Sequence, residues 1–453
     1  MKIILVFAGI TKTGFNNYGL DDESSWIHHG LCSISASLKK NGYLTELIDL
    51  RRLKGWEDFR DKIRATRPDV AGLTMMSLDY NNVMRCVDII KEVNPKTVTL
   101  AGGIHPSVAP GDVLRNPNID YVIKGEGEVS FVNLLREIEA GRPPQERLIP
   151  GISLELEQLP PADRDLFEQD EMPITPDFPK PFVTLIVARG CAYNCNFCQP
   201  AERYAFGPRV RSRSVENVIL ELCELKKKFA FKSLMFHDDC LLQDIAWCRG
   251  FSREWVKLGS VVPFACQARA DIICKKEDAL SEMARAGLKL LLIGFESGSQ
   301  RVLDFLNKGT TVKDNIEAAR ICRKHDIKIW ANYMLGIPTE TRAEVMATVR
   351  MLKKIQPDYY SAAYYTPHPG SKLYDYVKDR NLSLVSNYES FRRNPDQPKI
   401  KGVDYAFLRY ANFVATTPLA GRLMRHPLRK IGRIYKNEGL SGLLRHIKKW
   451  VWM

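Results

Sequence analysis

Three cysteines, Cys191, Cys195 and Cys198, stand four and three residues apart in the segment ARGCAYNCNFCQP. Thiolates at this spacing fit within one loop. Iron–sulfur clusters are held by such thiolates, and three of them leave one iron of a four-iron cluster without a protein ligand, open to a small chelating molecule. Zinc is the competing reading, but a structural zinc site needs a fourth close Cys or His to complete its tetrahedron, and none lies within this loop. The trio therefore reads as the metal ligands and catalytic centre of an open [4Fe-4S] site. Eleven cysteines without a regular framework, in a chain of 453 residues, fit reduced thiols in a reducing compartment better than disulfides.

The elements that must hold this loop alternate along the chain. An apolar strand, Val183 to Val187, precedes it, and SLMFHDD, PFACQARAD, LKLLLIGFES, IKIWANYMLGIP and YYSAAYYTP follow, separated by charged stretches of helical period. Six such units predict a partial (β/α)6 TIM-type barrel over 181–380, with its chemistry at the carboxyl ends of the strands. Residues 1–140 show the same alternation, IILVFAG, TELIDL, DVAGLTMM, VTLAGG and YVIKGEG, which predicts five parallel strands in a doubly wound, Rossmann-like α/β domain. Prolines crowd residues 141–180 and predict a linker across the surface. Residues 381–453 read as a helical, basic C-terminal region.

With the strands in order, the cysteine loop resembles that of the radical S-adenosylmethionine (radical SAM) superfamily, over about 200 residues. The resemblance implies that the free iron binds S-adenosylmethionine and that one electron breaks its carbon–sulfur bond to give a 5′-deoxyadenosyl radical. It also implies roles for further residues. Phe197 matches the aromatic position that touches adenine. Asp238 and Asp239, after His237, would bind the methionine amino group, or else cap a helix. Arg269 would clamp the methionine carboxylate and Glu296 and Ser297 would lie near the ribose, unless Arg269 and Glu296 pair with each other. Gly336 in YMLGIPTET would let the backbone approach adenine while Glu340 caps the following helix; ESGSQRVLDFLNKG and TPHPGSKLY complete the pattern.

The first domain is similar to those of radical SAM enzymes that bind cobalamin. SLDYNN, AGGIHPS and GEGE fall at carboxyl strand ends, Gly102 and Gly103 permit close backbone approach, and Gly125-Glu126-Gly127-Glu128 closes the last strand. The DxHxxG motif that would supply a lower cobalt ligand is absent, and His28, His29 and His105 read as solvent or turn histidines. Two readings follow: cobalamin without a protein histidine ligand, or a domain without cobalamin that serves as a substrate lid.

The net charge of +13 is concentrated at one end. From Gly421 onward nine Lys or Arg face the single acid Glu438, so the other 420 residues carry only about +5. Leu443, Leu444, Ile447, Trp450 and Val451 recur at helical spacing opposite Arg445, Lys448 and Lys449, which predicts a helix lying on an anionic bilayer or on the barrel. Aromatic residues are not interleaved with these charges, which argues against nucleic acid. The N-terminus reads as a buried strand rather than a signal peptide, and no run approaches the ~20 apolar residues of a spanning helix; the expected location is cytoplasmic, with peripheral contact at the inner membrane face. The expected activity is methylation of an unactivated carbon in a small-molecule, lipid or pigment intermediate, with electrons from flavodoxin or ferredoxin. Oxidative cyclisation with the same cofactors and a non-catalytic redox or ligand sensor stay open.

Overall fold

The computed structural model describes residues 1–9, 15, 26–167, 171–198, 209–259, 261–391 and 397–417. Two fully parallel sheets dominate. The first runs β2-β1-β3-β4-β5-β6, built from β1 (Ile3–Phe7), β2 (Thr45–Asp49), β3 (Val70–Thr74), β4 (Val98–Gly102), β5 (Tyr121–Lys124) and β6 (Leu148–Pro150). The sequence predicts five of these strands; the sixth comes from the proline-rich stretch. Leu148, Ile149 and Pro150 pair with Val122, Ile123 and Lys124 at the open edge, a place where a proline's missing N–H leaves no interior ladder bond unmade. The order reverses direction between β1 and β3, the switch point where sheets of this kind open a crevice at their carboxyl ends.

The second sheet runs β14-β13-β12-β11-β10-β7, from β7 (Phe182–Leu185), β10 (Ser233–Phe236), β11 (Phe264–Ala268), β12 (Leu288–Glu296), β13 (Lys328–Leu335) and β14 (Tyr359–Tyr364). It forms the predicted partial barrel. Between β7 and β10 lies a short antiparallel pair, β8 (Ala188–Arg189) with β9 (Arg211–Ser212). Side chains alternate across the barrel strands. Leu185, Phe236, Phe264, Ile293 and Ala331 face the outer helices, while Phe182, Met235, Ala265 and Leu290 face inward, where Ile174 and Phe178 from the proline-rich segment pack on them. That segment thus fills the barrel floor as well as crossing between domains. Helix Tyr405–Thr416 covers helix Arg342–Ile355, tied by the Arg342–Asp404 ion pair.

Among the described residues no helix is long and apolar enough to cross a membrane. Residues 421–453, on which the basic-helix expectation rests, lie outside the described residues.

An aromatic stack fixes the helix Ile245–Lys257 to the barrel. Phe251 is fully buried, stacks between Trp247 and Trp255 at 5.3 and 5.9 Å, and meets Phe236 and Phe264 edge-on. Phe251→Ala should cost about 3–5 kcal/mol, read as a lower denaturant midpoint at unchanged slope.

Candidate functional site

The cysteine loop leaves the barrel through the β8–β9 pair, so its stalk is two-stranded. Its far side is pinned to the segment after β12: Asn196 donates its backbone N–H to Leu306 O (2.8 Å) and its amide to Phe305 O (2.9 Å), and Asn307 donates to Asn194 O (2.7 Å). Cys191 and Cys195 are half-buried and Cys198 is exposed. Among the described residues no three His, Cys, Asp or Glu side chains gather to hold a single metal ion. A four-iron cluster takes each thiolate at a separate corner, so this donor set, three sulfurs on one pinned loop, fits a cluster.

Two buried cations stand beside the loop. Arg269 places Nη1 3.7 Å from the Cys195 sulfur and its guanidinium 3.5 Å from the Tyr193 ring centre. Lys308 sits 5.7 Å from the Phe197 ring centre. Cationic charge here would offset the negative charge of an iron–sulfur cluster. The alternative Arg269–Glu296 pair does not form. Arg269 instead pairs with Asp271 (3.0 Å) and donates to Lys308 O (2.5 Å), while Glu296 takes Lys308 (2.9 Å). Burial works against the Lys308 charge, but the Glu296 carboxylate and the nearby Cys195 sulfur together outweigh it and raise its pKa. A bulge in β12 makes this geometry: register shifts between Gly294 and Glu296, and Glu296 has φ +56. A Cβ on Gly294 would lie 2.4 Å from Glu296 Oε1 and 2.8 Å from Lys308 Nζ, so the glycine clears space for the pair. Lys308 and Tyr193 were not singled out from sequence. The signal was there, in the lysine before the final glycine of ESGSQRVLDFLNKG.

Other expected contacts are used differently. Asp238 accepts hydrogen bonds from the backbone N–H groups of Val187 (3.1 Å) and Ala188 (2.5 Å), which ties β10 to the cluster stalk and engages the carboxylate expected for an amino group. Burial pushes its pKa up to about 7. Ser297 is fully buried against Thr348 at 3.2 Å. Gly336, at φ +74, packs towards Leu408 and Val403, and Phe197 packs on the apolar cluster of Met334 and Ile337. Glu340 does not cap the following helix, because Thr341 and Glu344 form that capping box; it turns back to accept from Gly336 N (2.9 Å) and Ile337 N (3.3 Å).

A second locus, a cavity of about 640 Å³, lies between the two domains. One wall is the carboxyl edge of the first sheet, with Gly72, Thr74, Gly102, Gly103, Gly125 and Gly127; the other carries His237, Asp238, Asp239, Arg189, Arg213 and Glu221. Gly102 has nothing within 4 Å of where a Cβ would stand. Gly103, at φ +105, brings its backbone against Met75, and a Cβ there would lie 3.0 Å from Met75 O. This bare-backbone cradle fits a large flat ligand such as a corrin. The expected site residues therefore divide: Gly102, Gly103, Asp238 and Asp239 line the cavity, while Phe197, Arg269, Glu296, Ser297 and Gly336 do not.

His28, His29 and His105 are neither solvent nor turn residues. His28 caps helix His29–Lys40 by accepting from Leu31 N at 3.0 Å. His29 Nε2 is 3.0 Å from Thr184 Oγ1 in the barrel. His237 packs edge-on to Trp26. His105 is fully buried, its Nε2 without a hydrogen-bond partner. Burial lowers His28, His105 and His237 to about 4.

Such a doubly wound domain, set against a partial barrel with an open three-cysteine loop, defines a radical SAM enzyme of the cobalamin-binding class. Residues 20–135 match the B12 binding domain and residues 185–352 the radical SAM superfamily. The chain is 29% identical over 384 residues to an uncharacterized methyltransferase of Pyrococcus horikoshii, covering 81% of this chain and 82% of that protein. It is 27% identical over 388 residues to an anaerobic magnesium-protoporphyrin IX monomethyl ester cyclase of Rubrivivax gelatinosus, covering 81% and 69%. The fold is that of the radical SAM methyltransferase TsrM of Kitasatospora setae, solved with cobalamin and a [4Fe-4S] cluster, at TM-score 0.67 and 18% identity over 93% of this chain and 86% of that one. The protein is a radical SAM enzyme that uses a [4Fe-4S] cluster, S-adenosylmethionine and cobalamin. When bound, the cluster supplies the electron that cleaves S-adenosylmethionine.

Two measurements check this electrostatic picture. Lys308→Met leaves Glu296 buried without its partner and should cost about 3–5 kcal/mol, whereas Glu296→Gln with Lys308→Met should recover more than half of the loss in a double-mutant cycle of unfolding. His28 has a folded pKa depressed to about 4, so its contribution is complete above the ordinary value near 6.5 and is lost as pH falls from there towards 4. His28→Asn keeps a capping side chain; relative to the unmodified chain it should gain about 2 kcal/mol of unfolding free energy between pH 7.5 and pH 5.

Proposed function

We propose that the enzyme transfers a methyl group to an unactivated carbon of a small-molecule, lipid or pigment intermediate bound in the cavity between the domains. The observation that carries this reading is the cavity itself, shared by the glycine cradle and by the β10 end that reaches the cluster stalk through Asp238. Cobalamin, when bound, supplies a transferable methyl group. The chain's own side chains do the rest. Leu31, Ile34, Phe131, Leu156 and Leu159 make the cavity apolar and exclude water from it. His237 and His29, held neutral by burial, add no charge to the wall that faces a substrate. Arg269 and Lys308 hold positive charge beside Cys195. The methyltransferase relative supports the reading; the cyclase relative favours oxidative ring closure as the second one.

The remaining expectations belong to the same proposal. Arg269, Phe197, Glu296 and Gly336 act at the S-adenosylmethionine end, a low-potential flavodoxin or ferredoxin delivers electrons to the exposed Cys198 side, and the enzyme works in the cytoplasm with its basic tail touching the inner membrane face.

Anaerobic reconstitution with iron, sulfide, hydroxocobalamin, a reductant and S-adenosylmethionine bearing a deuterated methyl group tests the reaction. Methylation puts the label into the product and releases S-adenosylhomocysteine alongside 5′-deoxyadenosine. Unlabelled, dehydrogenated product instead marks the cyclase, and ligand binding without 5′-deoxyadenosine marks the sensor. Cys198→Ala should abolish both cluster and cleavage; retention of either overturns the ligand set.

A further inference from the structure

The GEGE run closes the last predicted strand of the first domain with two glycines, yet its two glutamates do separate work. Glu126 and Glu128 are buried, at 4% and 5% exposure. They face the other domain, where Arg189 splits its guanidinium between them: Nη2 lies 2.6 Å from Glu128 Oε1 and Nη1 lies 3.2 Å from Glu126 Oε2. Ser33 donates to the same Glu128 oxygen at 2.7 Å. Arg211, 6% exposed, pairs with Glu126 and also donates to Leu154 O.

The placement of these four residues gives the network its meaning. Arg189 and Arg211 are register partners in the β8–β9 stalk, and Arg189 is separated from Cys191 only by Gly190. Glu126 and Glu128 alternate with Gly125 and Gly127 in the cavity wall. The cluster loop and the corrin cradle are thus cross-braced by two arginines and two carboxylates whose charges balance. A buried pair of this kind stabilises little against an apolar substitute, but it is strongly orienting, since removal of one member strands a charge. A planar guanidinium shared between two carboxylates also fixes direction, which a lysine cannot reproduce.

We infer that Glu126, Glu128, Arg189 and Arg211 form an interdomain clamp that sets the position of the cluster loop relative to cobalamin and couples cobalamin binding to that loop. They are positioning residues, and the inference rests on cobalamin binding in the cavity. Coupling of this sort is reciprocal: what cobalamin does to the loop, the loop does to cobalamin affinity.

The test uses the full chain, reconstituted with iron and sulfide. Hydroxocobalamin affinity is read from its visible spectrum, and the separation of cob(II)alamin from the reduced cluster from their magnetic dipolar coupling. Arg189→Met and the isosteric Glu128→Gln should keep the iron content of the unmodified protein, weaken cobalamin about tenfold, and broaden the distance distribution. Arg189→Lys, which keeps the charge but not the fork, should fall between. Unchanged affinity and an unchanged distance distribution in both variants overturn the clamp, whereas failure of the unmodified protein to take up cobalamin overturns the cofactor reading beneath it. Should the variants not fold, the unmodified chain decides. Hydroxocobalamin should slow amide exchange at Arg211 and Ser212, which do not line the cavity, and no change there refutes the coupling.

Discussion

Two parallel sheets present their working groups at the carboxyl ends of their strands, and a reaction that draws on both requires those two edges to face each other. This constraint shapes the molecule. Facing edges bring together strand-end loops, helix starts and the side chains that bind charge, so the junction cannot be sealed by apolar packing alone. Here it is sealed by balanced charge: Glu126 and Glu128 against Arg189 and Arg211, with Glu221 between Arg164 and Arg213 close by. Buried charges tolerate little displacement, because each ångström of separation forfeits Coulomb energy that the desolvated interior cannot replace.

The cluster site obeys the same logic on a smaller scale. A loop with three thiolates concentrates negative charge, and the barrel meets it with Arg269 and Lys308, each buried and each held by a carboxylate of its own, Asp271 and Glu296. Glu296 helps keep the buried Lys308 charged. The cost is local strain at Glu296, whose positive φ is set by the β12 bulge, and strain of this kind collects at functional sites. The segment between the domains links both scales, since it closes the first sheet through β6, floors the barrel through Ile174 and Phe178, and supplies Arg164 and Glu171 to the polar network under the cavity.

The chain by itself determined the class of chemistry and the architecture. The spacing of Cys191, Cys195 and Cys198 points to a cluster with an open iron because it is a local signal, and the alternation of apolar runs with helical stretches selects two parallel sheets because it is periodic. Residue types at strand ends also pointed to Gly102 and Gly103, which line the cavity between the domains. Partnerships were decided only in three dimensions. Asp238, Ser297 and Glu340 sit at strand ends as a binding residue would, yet each turns to a backbone or side-chain partner of the scaffold. Lys308 was visible as a letter but not as the partner of Glu296, and Glu126 and Glu128 gave no sign that arginines over sixty residues away would complete them. Covalent spacing fixes what a short segment can coordinate; which buried charge finds which depends on how distant strands come to face one another.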